Sequence, residues 1–232
     1  MDFIEGEVLY VDKPLEWTSF KVVNRIRGKI QKAFNIKKLK VGHAGTLDPL
    51  ATGVMILCTG KATKKIESFQ YQTKEYVATL KLGATTPSFD MEHEEDATFP
   101  TNHITRELID TVIPRFTGEI WQVPPVYSAV KVDGKRAYNY AREGQDVELK
   151  PKLLVIDEIE VLDFSLPVLK IRVVCSKGTY IRALARDIGK ALNSGAYLTA
   201  LARTRIGEKH LNECWQVNDL MDFLDKEAEK SK

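Results

Sequence analysis

The sequence VGHAGTLDPLATG, at Val41–Gly53, decides how the rest of this chain is interpreted. Its glycines permit backbone angles that are closed to other residues. Asp48 precedes a proline, which biases its backbone towards an extended or turn conformation. The stretch leads into the short apolar run Val54–Cys58, which fits a buried strand. We therefore expect a carboxylate on a stiff loop at a strand entrance, where a rigid scaffold can aim a catalytic group.

An ordinary turn is the alternative interpretation of this stretch. Aspartate and proline dominate turns for conformational reasons alone, so their spacing does not separate a turn aspartate from a catalytic one. His43 lies close to Asp48 in sequence, but sequence proximity does not decide between the two interpretations. Other segments of the chain are needed to decide whether Asp48 is a turn residue or a catalytic one.

Composition limits the class of protein. The 232 residues allow one or two domains, and 44% hydrophobic residues are enough for a sizeable core. The net charge is only +2, so a polyanionic partner would have to be recognised through local patches. Three cysteines occur singly, which argues against a disulfide framework or a zinc site and suits a reducing compartment.

The N-terminus lacks the pattern of a secretory signal, and no apolar stretch approaches the roughly 18 residues of a membrane span. We therefore expect a soluble cytoplasmic protein. No metal-ligand cluster, phosphate-binding loop or dinucleotide fingerprint is visible in the sequence. We expect no cofactor and no metal.

Several segments have clear periodicity. After a cap at Thr18 or Ser19, a helix is predicted with one apolar face of Phe20, Val23, Ile26, Ile30 and Phe34. Glu75–Leu82 alternates as a half-buried strand, and Tyr76 at its start is by itself more typical of a core than of a cleft. Further predicted elements are strands at Leu153–Phe164 and Val168–Cys175, a helix at Arg106–Phe116 limited by Pro114, and a helix from Thr179.

Three charged regions stand out. Lysines in Lys29–Lys40, and again at Lys61, Lys64 and Lys65, fit either solvated surfaces or phosphate contacts. Trp121–Gly144 interleaves basic residues with tyrosines around the hairpin turn signal Asp133-Gly134. That mixture suits looped or single-stranded RNA, although a plain exposed hairpin is the alternative. Gly83–Pro100 is acidic and is predicted to be an exposed loop.

Five ordered blocks resemble the bacterial TruB-type tRNA pseudouridine synthases. They are DKP at Asp12–Pro14, GHAGTLDPLATG at Gly42–Gly53, KEYVATLKLG at Lys74–Gly83, QVPPVYSAVKVDGKRAY at Gln122–Tyr138 and CSKGTYIRALARDIG at Cys175–Gly189. The resemblance covers the chain from about Glu7 to Gly207. Glu16 stands where the family usually has glycine, and the chain stops near where many relatives begin a PUA-type RNA-binding domain.

The resemblance implies one mixed α/β catalytic domain over residues 1–232. We expect a central, mostly antiparallel sheet flanked by helices, an RNA-gripping insertion at about 122–150, a helical tail at about 217–232 and no PUA domain. It also implies that uridine 55 in the T-loop of tRNA is isomerised to pseudouridine after base flipping. The expected partner is the tRNA T-arm, and the expected state is a monomer.

Site residues follow from the same resemblance, motif by motif. Asp48 would be the nucleophilic aspartate, with Tyr76 stacked on the flipped base. Tyr180 and Arg182 would orient the aspartate, with Arg182 as its ion partner, while Leu201 would pack on the base and His43 would wedge into the T-loop. Lys13 would brace the loop, and the remaining candidate RNA-binding residues are Lys61, Lys64, Lys131, Lys135, Arg136 and Arg203.

The residue types suit this chemistry. A carboxyl with the ordinary aspartate pKa of about 3.9 is ionised at neutral pH and can act as nucleophile or base. Sequence leaves open whether it attacks the ribose or removes its C2′ proton. A tRNA-binding folding helper with secondary or lost catalysis is the alternative function, and an aspartate-dependent RNA hydrolase is a weaker one. The intact set of Asp48, Tyr76 and Arg182 favours the isomerase.

Overall fold

A computed structural model of the chain describes residues 1–230. Its helices are α1 Ser19–Ala33, α2 Ile66–Tyr71, α3 Arg106–Val112, α4 Ala137–Arg142, α5 Ile181–Ala191 and α6 Val217–Lys230. Its strands are β1 Val8–Lys13, β2 Val41–Ala44, β3 Ala51–Thr59, β4 Lys74–Leu82, β5 Ala84–Thr85, β6 Ala97–Thr98, β7 Gly118–Gln122, β8 Lys131–Val132, β9 Lys135–Arg136, β10 Lys152–Ser165, β11 Val168–Cys175, β12 Ala196–Ile206, β13 Lys209–His210 and β14 Trp215–Gln216. Short 3-10 turns lie at Gly60–Lys65, Ile113–Phe116 and Leu211–Glu213.

Ten of these strands form one hydrogen-bonded sheet within residues 1–230. The strand order is β14-β1-β3-β12-β4-β11-β10-β7, with β2 paired to β3 and β13 paired to β12. The neighbours β1–β3, β2–β3, β10–β11 and β10–β7 are antiparallel, whereas β1–β14 is parallel. The prediction of a mixed α/β fold with a large central sheet is confirmed.

The chain divides into two compact units. The first comprises Met1–Tyr76 and Ala202–Lys232, and the second comprises Val77–Leu201. Strands β4 and β12 each contribute residues to both units. The prediction of a single catalytic domain stays a prediction.

The first unit has an apolar core between its strands and two helices. Alternate residues of β1 and β3, including the registered pair Val11 and Met55, pack with α1 and α6. Thr18 caps α1, because its side chain accepts a hydrogen bond from the backbone N–H of Lys21. This cap confirms one of the two predicted cap residues. A second apolar cluster, which contains Val54, lies among β2, β3 and the segment after it.

The prediction that Phe20 belongs to the buried face of α1 is wrong. Phe20 is 68% exposed, whereas Val23, Ile26 and Ile30 are buried as expected. Ser19 takes the first position of the buried face, and its hydroxyl is hydrogen-bonded to Leu47. Phe20 therefore falls one step outside that face.

The second unit contains the antiparallel strands β7, β10 and β11 together with α5. The predicted strands at Leu153–Phe164 and Val168–Cys175 are confirmed as β10 and β11. The predicted Asp133-Gly134 turn is also confirmed, since it joins β8 to β9 with Lys131 opposite Arg136. Both turn residues have positive φ, 50° and 82°, as hairpin turns of this kind require. In residues 1–230, no helix is both long and apolar enough to cross a membrane.

Candidate active site

The turn that carries Asp48 is fixed on both sides. On one side, the Ser19 hydroxyl donates to the carbonyl of Leu47 at 3.1 Å and accepts from its N–H at 2.9 Å. On the other side, the N–H of Glu16 donates to the carbonyl of Pro49 at 2.8 Å. The first turn of α1 and the segment before it therefore hold the backbone of the aspartate from outside its own loop.

Lys13 braces the same turn from inside the first unit. Its side chain is 0% exposed, and its Nζ donates to the carbonyls of Pro14, Trp17 and Pro49 at 3.0, 2.6 and 3.3 Å. Buried backbone carbonyls need such partners, because an unpaired one costs free energy comparable to a lost hydrogen bond. The ammonium therefore ties the end of β1 to the residue after Asp48.

Burial lowers the pKa of Lys13 from 10.5 to about 8, and the charges of Asp48 and Asp12 limit that decrease. The folded value lies below the unfolded one, so between about pH 8 and 10.5 the unfolded chain binds more protons at this site. The contribution of Lys13 to the free energy of unfolding should therefore increase as pH rises from about 8 to 10.5. It should decrease again as pH falls through the same range.

We expect this pH dependence to appear when the melting temperature of the wild type is compared with that of Lys13→Met. The melting temperature of the wild type minus that of Lys13→Met should increase between pH 8 and pH 10 and stay constant between pH 6.5 and 7.5. Each unit of pKa difference corresponds to about 1.4 kcal/mol. Thermal unfolding followed by circular dichroism measures it, and a difference that is flat up to pH 10 would contradict the assignment.

Arg203 is buried beside this turn. Only 1% of it is exposed, and its Nε and Nη2 donate to the carbonyls of Val54 and Gly45 at 2.8 and 3.0 Å. Its guanidinium carbon lies 6.0 Å from the ring centroid of Tyr76, a buried residue of β4. Arg203 was predicted from sequence to bind RNA. In this structure its charge points at backbone carbonyls inside the first unit and not at the surface.

The entrance of β3 passes close to the backbone of β12. Gly53 has a φ of +108°, and a Cβ at this position would lie 2.2 Å from the carbonyl oxygen of Arg203. Its N–H donates to Asp12 Oδ1 at 3.1 Å. Only glycine satisfies both the backbone angle and the space.

His43 lies on strand β2, opposite Leu57 of β3. Pairing with β3 explains the strand, because a short Gly-rich segment has little strand signal of its own. The Nδ1 of His43 is buried and has no hydrogen-bond partner. Burial, and then the charge of Arg203, lower the pKa of the ring, which is therefore neutral at neutral pH.

Arg182 is a buried cation of the second unit. It is 5% exposed, and its Nη1 and Nη2 donate to the carbonyls of Ser88 and Tyr127 at 3.1 and 2.9 Å. Its Nε lies 3.6 Å from Oδ2 of Asp90. Three sides of the planar guanidinium are thus in use, which favours arginine over lysine at this position.

Asp90 corrects the prediction of an exposed acidic loop. It is 6% exposed, and its Oδ1 accepts hydrogen bonds from the hydroxyl of Ser88 at 2.6 Å and from the N–H of Glu92 at 3.0 Å. The carboxylate thus has the hydrogen bonds and the arginine that a buried charge needs. Sequence charge alone did not separate it from its exposed acidic neighbours.

Tyr180 precedes α5 and is fixed by a glutamine. Its N–H donates to Oε1 of Gln122 at 2.9 Å, and its carbonyl accepts from Nε2 of Gln122 at 3.2 Å. Gln122 is buried at the end of β7. This paired amide contact sets the start of the helix that carries Arg182.

Comparison with known proteins assigns the family. A family model described as "TruB family pseudouridylate synthase (N terminal domain)" matches residues 31–181. The chain belongs to the TruB family. A curated relative from Phocaeicola vulgatus, "tRNA pseudouridine synthase B", is 69% identical over 98% of this chain and 97% of its own. One of the same name from Parabacteroides distasonis is 66% identical over 99% and 98%.

Two solved structures are also similar to this chain. One titled "Crystal Structure of a Cbf5-Nop10-Gar1 Complex" matches with a TM-score of 0.73 and 31% identity, over 99% of this chain and 57% of that chain. Another, titled "Crystal structure of the archaeal box H/ACA sRNP Nop10-Cbf5 complex", has a TM-score of 0.69 and 27% identity, and again 57% of that chain is covered. The TruB chain described here thus spans little more than half of these solved chains.

The other predicted site residues of this TruB chain lie at different places. Leu201 belongs to β12 and is partly exposed. Lys61 and Lys64 are exposed in the 3-10 turn after β3, where Lys61 pairs with Glu5 at 2.7 Å. Of the hairpin residues, Lys131 and Arg136 are exposed, and Lys135 is partly buried and forms an ion pair with Glu143.

The predicted site residues therefore divide between the two units. Lys13, His43, Asp48, Tyr76 and Arg203 belong to the first unit, and Tyr180, Arg182 and Leu201 belong to the second. The pairing of Asp48 with Arg182 stays a prediction.

Four residues that hold these groups were missed. They are Ser19, Gln122, Asp90 and Tyr127. Gln122 and Tyr127 lie in one of the recognised blocks, which was the available signal. Among residues 1–230, no three His, Cys, Asp or Glu side chains could share a metal ion.

Proposed function

We propose that this chain converts a uridine of tRNA to pseudouridine, and that its target is uridine 55 of the T-loop. The observation that carries the proposal is the doubly anchored turn of Asp48, which lies within the span matched by the TruB family model. A relative 69% identical over nearly the whole chain is named a tRNA pseudouridine synthase. A turn held from outside its own loop keeps a carboxylate in one geometry, as catalysis requires.

The reaction breaks the bond from C1′ of the ribose to N1 of the uracil and forms a bond from C1′ to C5. The base rotates in between, and the proton on C5 is lost while N1 gains one, so nothing is oxidised and no group is imported. Asp48 starts this sequence, either by attacking the ribose or by removing the C2′ proton. Tyr76 stacks on the everted base and mediates proton transfer at C5.

The remaining roles follow the family motifs. Arg182 pairs with Asp48, Tyr180 helps to orient it, and Leu201 packs on the other face of the base. His43 enters the space that the target base leaves. Everting the base costs a few kcal/mol, and stacking on aromatic rings returns roughly 1–3 kcal/mol per base.

Five cations of the 3-10 turn after β3 and of the β8–β9 hairpin provide the grip on the tRNA. Lys61, Lys64, Lys131, Lys135 and Arg136 contact phosphates, and the segment at about 122–150 acts as the RNA-gripping insertion. Affinity for tRNA should therefore weaken with added salt, because bound phosphates release counterions. We further propose that the protein acts in the cytoplasm as a monomer and as one catalytic domain.

The direct test is to map pseudouridine in an unmodified tRNA transcript after incubation with the purified protein. We expect one new pseudouridine at position 55 and no strand cleavage. The same position should stay uridine in tRNA from cells that lack the protein. Binding without any modified nucleotide would favour the folding helper, and cleaved strands would favour the hydrolase.

His43→Ala should slow turnover about tenfold on intact tRNA, because about 1.4 kcal/mol of stacking is lost during base eversion. His43→Phe keeps a neutral ring and should stay within about threefold of the wild type. A T-arm in which the target uridine is already unpaired should be less sensitive to the alanine change. Single-turnover rates on both substrates check this, and an equal defect on both would contradict the wedge role.

A further inference from the structure

Two chain segments of the second unit meet at Arg182. One is the turn that carries Ser88 and Asp90, and the other begins at Tyr127. The guanidinium bonds to both, so its orientation depends on how these two segments lie relative to each other. Whatever fixes that separation also fixes the arginine.

A ring contact joins the same two segments. His93 follows Asp90 by three residues, and its ring centroid lies 4.6 Å from that of Tyr127 at an interplanar angle of 47°. The contacts therefore form a closed cycle. Arg182 contacts Asp90, the chain leads from Asp90 to His93, His93 packs on Tyr127, and Tyr127 accepts a hydrogen bond from Arg182. Such ring pairs stabilise a structure beyond the area that they bury.

The environment of His93 suits packing better than hydrogen bonding. Its Nδ1 is buried without a hydrogen-bond partner. No hydrogen bond at this nitrogen therefore holds the ring in place. The ring of His93 packs against that of Tyr127.

Tyr127 also lies shortly before the hairpin formed by β8 and β9. The N–H of Ser128 donates to the carbonyl of Val126 at 2.8 Å, and the carbonyl of Ser128 accepts from the N–H of Tyr138, in α4, at 3.1 Å. A shift of the hairpin and α4 is thus passed to Tyr127 through its neighbour. The contact with His93 opposes such a shift.

We propose that His93 is a positioning residue for Arg182. Its ring holds Tyr127, and this fixes the carbonyl that accepts from Nη2 of the guanidinium. The catalytic consequence rests on the proposed function of Arg182, whereas the clamp itself is a property of the free protein. The two can therefore be tested separately.

The first experiment needs no tRNA. Hydrogen–deuterium exchange is followed in peptides that contain the N–H groups of Ser128 and Tyr138, for wild type, His93→Ala and His93→Phe. We expect at least fivefold faster exchange in the alanine variant and wild-type exchange in the phenylalanine variant, which keeps a ring. His103→Ala is the matched control, because it removes a histidine bonded to the carbonyl of Leu192 at 2.8 Å in the same unit. Unchanged exchange in His93→Ala would overturn the clamp.

The second experiment separates rate from affinity. His93→Ala should lower the single-turnover rate of pseudouridine formation three- to tenfold with tRNA affinity unchanged, and His93→Phe should restore the rate to within twofold. In a Tyr127→Leu background, His93→Ala should have no additional effect, because coupled residues are not additive. Full additivity, or a parallel loss of affinity, would overturn the positioning role. An inactive wild type would instead refute the proposed function, while the exchange result would still decide on the clamp.

Discussion

Asp48→Asn should abolish pseudouridine formation while tRNA binding is kept. We expect the rate to fall by roughly a thousandfold or more, as when a nucleophile or essential base is removed from other enzymes. Asparagine has almost the same shape and is equally compatible with a turn. The bonds of Ser19 to Leu47 and of Glu16 to Pro49 do not involve the Asp48 side chain, so the turn should stay folded.

The measurement is product formed per enzyme in a single turnover, together with filter binding of the same tRNA. Asp12→Asn is the matched control, since Asp12 accepts hydrogen bonds from Gly53 and Gln216 near the same turn. It should cost no more than a few-fold in rate. Equal product from Asp48→Asn and wild type would defeat the catalytic assignment, and lost binding would point to a structural role.

Arg182→Lys should be almost as damaging, although the charge is kept. Lysine has a single ammonium and cannot reach the carbonyls of Ser88 and Tyr127 while also facing Asp90. At least one buried acceptor then loses its partner, at a cost of about 1–3 kcal/mol, and the aim of the remaining charge is lost. We expect a rate decrease of about a hundredfold at constant tRNA affinity.

Arg186→Lys provides the control on the same helix. Arg186 lies one turn after Arg182 in α5 and pairs with its neighbour Asp187 at 2.8 Å. Its replacement should change the single-turnover rate by less than about threefold. A near-normal rate in Arg182→Lys would mean that the planar fork is not required, and that Arg182 does not orient Asp48.

The local patterns of the sequence were sufficient for several elements. Alternation predicted β4 and β11, and the Asp133-Gly134 pair predicted its hairpin, because each depends on residues that are adjacent in the chain. Pro114 was also informative, since α3 ends at Val112 and a 3-10 turn follows. Strand β12 was not predicted, because the alternation of Ala196–Ile206 is interrupted by polar and small residues and its partners are distant in sequence.

The candidate site residues could be named from sequence motifs, whereas the residues that hold them in place could not. Asp48 was identified from its motif, yet the residues that fix its turn lie more than 25 positions earlier in the chain, where no local pattern points to them. Asp90 was hidden among exposed acidic residues, because burial depends on Ser88 and Arg182, which only the fold brings together. Arg203 was also not recognised as buried. It was predicted to bind RNA at the surface, but its guanidinium is buried and donates to the carbonyl of Val54.

The close approach at Gly53 has a consequence for protein engineering. Any side chain at this position would collide with the carbonyl of Arg203, so a mutant library aimed at new nucleoside substrates should leave codon 53 unchanged. Under the proposed function, diversity is better placed at His43 and Leu201, the residues proposed to contact the RNA. The turn of Asp48 would then keep its two anchors in every member of the library.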